Sequence, residues 1–231
     1  MRTHLQREID RLKKQILHLG GLVEKSVHDA VQALKRRDAD LADSVIEGDV
    51  QIDEIEVDIE EDCQKILALH QPVAHELRYI IAILKINNDL ERVADLAVNV
   101  AERARFLATQ EYIQGVFDFP GMAAKVQQML RESLDALVNS DVKLAYAVCI
   151  ADDEVDAINR DMFIRVQDAI RAHPDQMEAL IHLLSVSRHL ERIADMATNI
   201  AQDIIYMING DIVRHHVEDY LQQHIEQNPA P

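Results

Sequence analysis

The stretch Leu90–Ala101, LERVADLAVNVA, recurs at Leu190–Ala201 as LERIADMATNIA. Both copies hold Leu-Glu-Arg, Ala-Asp, a further Ala, an Asn and a closing Ala at a constant offset. Shared helix composition does not produce a match this dense, so the chain reads as a duplicated unit. Glu91, Asp95 and Asn99 in the first copy, and Glu191, Asp195 and Asn199 in the second, are spaced i, i+4, i+8. On a helix that spacing makes one polar stripe. Leu90, Val93, Ala94, Ala97, Val100 and Ala101, with their counterparts in the second copy, make the packing face beside it. Carboxylates one turn apart repel each other, and neither stripe carries a Lys at the next turn, so a positive group is expected nearby.

Working outward, the signals remain helical. The chain has 231 residues, 48% hydrophobic, with 6 Gly, 5 Pro and no Trp, which suits long helices and ample cores. Apolar residues from Leu5 to Leu34 fall in steps of three and four, predicting one helix over about 3–37 that continues in register past Gly20-Gly21. Its start is basic, which suits either pairing with the acidic helix that follows or a partner's docking. Asp38 is a suitable N-cap for a second helix. From Asp38 to Asp62 there are twelve acidic residues and no Lys or Arg, yet Leu41, Val45, Ile52, Ile55 and Ile59 keep an apolar side. Pro72 ends that helix and the first motif helix follows, to about Thr109. After a Gly- and Pro-containing break, the same pattern returns over about 122–139, 141–172 and 175–209, with Asp141 capping like Asp38 and Asn209-Gly210 closing. The fold class expected is all-α, two tandem three-helix bundles with a short C-terminal helix. The division is residues 1–110, a linker at 111–121, residues 122–210, and a tail helix at 211–231.

A register count around each proline turn sets Asp53 level with Glu91 and Asp49 level with Asp95. Around Pro174 it sets Asp156 level with Glu191 and Asp152 level with Asp195. With helix axes about 8–10 Å apart, each hairpin brings four carboxylates to one height. Such an oxygen-rich group, with an Asn carbonyl, suits hard or borderline divalent and trivalent cations. Solvated acid with Arg92 or Arg192 as counter-charge is the competing reading.

Other classes are less well served. A formal net charge of −17 argues against nucleic acid as ligand. Cys63 and Cys149 lack metal-type spacing and read as buried thiols. No apolar run reaches membrane-span length and no signal-peptide core opens the chain, which suits a cytosolic protein. A carboxylate-bridged metal oxidase or metal-storage bundle is the rival, but no His has a Glu three residues before it, as the di-iron motif requires. Phosphate-loop, dinucleotide, nucleophile-elbow and zincin motifs are all missing, so no enzyme is expected.

On the two E-R-x-A-D helices, the duplicated three-helix pattern and the acidic second helices, the chain resembles the PhoU family of phosphate-uptake regulators, from about Ser26 to Gly210. The family's E/D-x-x-x-D signature is met by Glu91–Asp95 and by Glu191–Asp195. The resemblance implies a non-enzymatic cytoplasmic protein of two PhoU domains, a negative regulator that damps phosphate import and silences starvation-response transcription. It implies as partners the ATPase of the phosphate ABC transporter and a phosphate-sensing histidine kinase, with membrane association only through them. It further implies a homodimer, and iron, zinc, manganese or magnesium on the carboxylate surface. His189 stands where the first copy has Asp89, and Gln202 where it has Glu102, so the second site is expected to differ in affinity or selectivity.

Overall fold

A computed structural model describes residues 2–111, 113 and 119–213. The expected C-terminal helix at 211–231 lies almost wholly outside the described residues. Six helices follow in order: α1 Arg2–Arg36, α2 Ala39–His70, α3 His75–Ala108, α4 Phe119–Asn139, α5 Val142–Ala172 and α6 Met177–Asn209. A 3-10 turn at Pro174–Gln176 precedes α6. Among the described residues the chain is all-α, six helices in two repeats of three.

The helix ends follow from local chemistry. Asp38 accepts a hydrogen bond from the Leu41 amide at 3.0 Å, and Asp141 accepts from those of Lys143 and Leu144. Each satisfies amides that the first turn of a helix leaves open. Before each cap the chain reverses through a left-handed residue, Arg37 at φ 56° and Ser140 at φ 52°. Gly210, at φ 86°, closes α6 with its amide on the Tyr206 carbonyl.

Gly20-Gly21 does not interrupt α1. A Cβ on Gly20 would come within 2.7 Å of Leu134 Cδ2 in α4, so the glycine permits a close α1–α4 approach, whereas one on Gly21 would meet nothing within 4 Å. Within the basic start of α1, Arg11 faces α2, lying 3.4 Å from Asp62, and Gln15 donates to the same carboxylate, whereas Lys13 lines a cleft with His75, Tyr79 and Leu137.

The repeats do not sit apart. One continuous apolar core runs through all six helices. Helices α3 and α6 pack on each other at its centre, α1 and α4 meet beside them, and α2 and α5 flank the outside, each against its own motif helix. The packing face read from the sequence is fully interior, with Leu90, Val93, Ala97 and Ala101, and Ile193, Ala194, Ala197 and Ala201, all at zero exposure.

The α3–α6 crossing is antiparallel. Lys85 Nζ donates to Asp203 at 3.0 Å, and the ring of Phe106 stacks on His182 at 3.9 Å. The first pair lies nine residues from Ala94 and Ala194 respectively, the second twelve. Ala94 and Ala194 therefore mark a pseudo-twofold relating the repeats. Lys85 also lies over the ring of Tyr206. No helix among the described residues is long and apolar enough to cross a membrane.

Candidate functional site

The two hairpins α2–α3 and α5–α6 each carry an acidic shelf. In the first, Asp49 lies within the electrostatic reach of Asp53 and Asp95, and Glu91 within that of Asp95, Glu56 and Asp53. In the second, Asp152 feels Asp195, Asp156, Asp153 and Glu191, and Glu191 feels Asp195 and Asp156. The side chains that the register count sets level thus lie within electrostatic range of one another in each half.

Burial and crowding both work against charge on these shelves. Desolvation, then the neighbouring carboxylates, pushes Asp49 from the usual 3.8 up to about 6. The same causes push Asp152 up to about 6. Glu91, Glu191 and Asp195 are also raised, by burial first and by their acidic neighbours second. The expected counter-charges are present at longer range: Arg92 partly offsets the effect on Glu91, and Arg188 and Arg192 do so for Glu191. Asp49 Oδ1 is buried with no hydrogen-bond partner. An oxygen in that position is available to a cation.

The asparagines are placed differently from each other. Asn99 Nδ2 donates to the Asp95 carbonyl at 2.8 Å, which keeps its amide beside the first shelf. Asn199 lines a cleft at the α3–α6 junction, beside Asp89 and Asp203. Among the described residues no three His, Cys, Asp or Glu side chains converge closely enough to hold a metal ion in the positions described.

Glu56 is a shelf residue that the spacing reading passed over. It lies one turn beyond Asp53, and Asn87 fixes it by donating to both its backbone carbonyl and its carboxylate at 3.0 Å. The signal was available, since Glu56 continues the Asp49–Asp53 face. It was hidden within an almost unbroken acidic run. In the second repeat Ser187 stands where Asn87 does and Asn159 where Glu56 does, Ser187 donating to Asn159 at 2.7 Å. The cysteines take no part: burial pushes both thiols up to about 12, and neither forms a disulfide.

The described residues define a class of duplicated six-helix bundle with a carboxylate shelf on each repeat. The PhoU domain matches residues 16–104 and again 119–204. The chain is 38% identical over 222 residues to the phosphate-specific transport system accessory protein PhoU homolog of Pseudomonas aeruginosa, covering 96% of this chain and 92% of that protein. It is 37% identical to the homolog of Aquifex aeolicus, covering 96% and 98%. The crystal structure of PhoU from Pseudomonas aeruginosa superposes with a TM-score of 0.87 at 37% identity, covering 89% of this chain and 99% of that one. The phosphate transport system regulatory protein PhoU from Streptococcus pneumoniae gives 0.79 at 26% identity, covering 90% and 99%.

The chain therefore belongs to the PhoU family, as an accessory and regulatory protein of phosphate transport that is not an enzyme.

Proposed function

We propose that this chain is a cytoplasmic negative regulator that restrains phosphate import and silences the phosphate-starvation response. In this reading it couples the ATPase of the phosphate ABC transporter to a sensor histidine kinase, works as a homodimer, and carries divalent or trivalent metal on its shelves. The observation that carries the metal part is the recurrence of one crowded carboxylate group in both repeats, with Asp49 and Asp152 each held up to about 6. Holding like charges together is unfavourable, and a bound cation removes that penalty. Glu91, Asp95, Asp49 and Asp53 are the first set of ligands, with Asn99 at its edge. Glu191, Asp195, Asp152 and Asp156 are the second, with Asn199 turned to the junction.

Both repeats expose apolar side chains suited to partner docking, Val50, Val57, Leu69 and Val73 on the first and others on the second. Phe163 and Ile164 stand half exposed where the first repeat has Glu60 and Glu61, and Met177 and Ile181 are exposed at the start of α6. Exposed apolar side chains of this size mark protein interfaces when they gather.

The test is genetic. In cells whose own copy is replaced by this chain, starvation-response genes stay silent in phosphate-rich medium. A variant with Glu91→Gln, Asp95→Asn, Glu191→Gln and Asp195→Asn, made at normal abundance, derepresses them. Equal silencing by that variant removes the shelves from the mechanism, and unchanged expression on outright deletion removes the regulatory role.

A further inference from the structure

The pseudo-twofold at Ala94 and Ala194 gives each position on one side of the α3–α6 crossing a counterpart on the other. On the first side lies a cleft of about 580 Å³. Its charged lining sets four carboxylates, Glu56, Glu60, Asp89 and Asp203, against two cations, Lys85 and Arg92. Lys85 is already neutralised by Asp203 at 3.0 Å.

The counterpart positions reverse that sign. Asn159, Phe163, His189 and Arg103 stand where the four carboxylates are, the α2–α5 equivalence being the one that aligns Asp49 with Asp152 and repeats the Asn87–Glu56 bond as Ser187–Asn159. Ser185 replaces Lys85, Arg192 matches Arg92, and Arg188 replaces Asn88. Three arginines and no acid thus occupy places that hold four acids and two bases on the other side.

Side-chain detail supports the reversal. Arg103, Arg188 and Arg192 stand at the positions equivalent to Asp203, Asn88 and Arg92, which line a single cleft on the first side. Ser185 Oγ lies 3.1 Å from His189 Nε2. Phe106 and the stacked His182 wall one end. The Nδ1 atoms of both His182 and His189 are buried with no hydrogen-bond partner. The nearby acids are Glu102, 3.9 Å from Arg103, Glu178, which acts on His182, and Glu191, which Arg188 and Arg192 partly offset. Among the described residues neither Arg188 nor Arg192 makes an ion pair within 4 Å.

We propose that this side of the crossing is a binding site for a small tetrahedral oxyanion of phosphate's size and charge. Arg103, Arg188 and Arg192 supply the charge, and Ser185 and His189 supply further hydrogen-bonding groups. Guanidinium groups suit such a ligand because their planar N–H pairs match two of its oxygens at once. The acid-lined first cleft, with Lys85 occupied by Asp203, is not such a site. The site adjoins the second shelf, whose Glu191 shares Arg188 and Arg192 with it, but needs no metal ion.

The experiment titrates the full chain, treated with a chelator, with inorganic phosphate in a calorimeter. One saturable site per chain is expected. Arg103→Gln and Arg188→Gln each weaken binding about tenfold, the effect of losing one charge-assisted hydrogen bond. Arg92→Gln, in the opposite cleft, leaves the site in place. Competition by sulfate supports an oxyanion site of this class. Lack of saturable binding overturns the proposal. So does unchanged affinity in a folded Arg103→Gln/Arg188→Gln variant, as does binding that appears only when the shelves are loaded with metal.

Discussion

Asp49→Asn and Asp152→Asn should each make the metal-free protein more stable at neutral pH. Both carboxyls sit at about 6 against an ordinary 3.8, with burial as the first cause and neighbouring carboxylates as the second. A group raised in this way favours the folded state at low pH. That contribution is complete below the unfolded value near 3.8 and is lost as pH climbs through about 6. Unscreened, a shift of this size corresponds to about 3 kcal/mol per group. Both shelves are partly open to water, which screens the charges, so about 1 kcal/mol each is the working figure. An uncharged isostere recovers it, which for a chain of this length raises Tm by about 2–4 °C per site. The assay is a pair of thermal melts in chelator, at pH 7.5 and at pH 4. At pH 7.5 each variant melts above the wild type. At pH 4, where the wild-type carboxyls are already largely protonated, the difference closes. Variants that melt lower at pH 7.5, or that gain equally at both pH values, refute the electrostatic account of the shelves.

Three further outcomes follow from the packing. Lys85→Met removes the Lys85 ammonium from the Asp203 carboxylate, whose side chain is 4% exposed; Lys85 is itself partly solvated, so a cost of about 2 kcal/mol is expected, most of it recovered in Lys85→Met/Asp203→Met, as denaturant titration will report. Gly21→Ala should gain about 0.5–1 kcal/mol from helix propensity because nothing lies within 4 Å of its Cβ, whereas Gly20→Val should lose about 2 kcal/mol through its clash with Leu134. Ser140→Gly should raise stability by about 1 kcal/mol, since Ser140 sits at φ 52°, where a side chain is strained; a lower melting temperature would count against that reason.

Much of this fold is written in local signals. The period of three to four, the Asp38 and Asp141 caps and the proline turns mark all six helices, and the shelves follow from counting residues away from each turn. The α3–α6 crossing is not written there. It depends on two helices a hundred residues apart choosing each other's faces, and the Lys85–Asp203 and Phe106–His182 pairs leave no local trace. The placing of Asn199 follows from that crossing: its stripe spacing is right, but the junction claims its side chain. The sign reversal across the pseudo-twofold was half visible, in the exchange of Asp89 for His189. Its meaning required knowing which residues of the other repeat stand opposite.

The central claim is that the paired carboxylates are metal sites. The most direct measurement is elemental analysis of untagged protein, purified without chelator, beside the Glu91→Gln/Asp95→Asn/Glu191→Gln/Asp195→Asn variant. The account predicts stoichiometric iron, zinc, manganese or magnesium in the wild type, and its loss from a variant that remains helical. Wild-type protein free of metal even after incubation with these ions, or a variant that retains the same content, contradicts it.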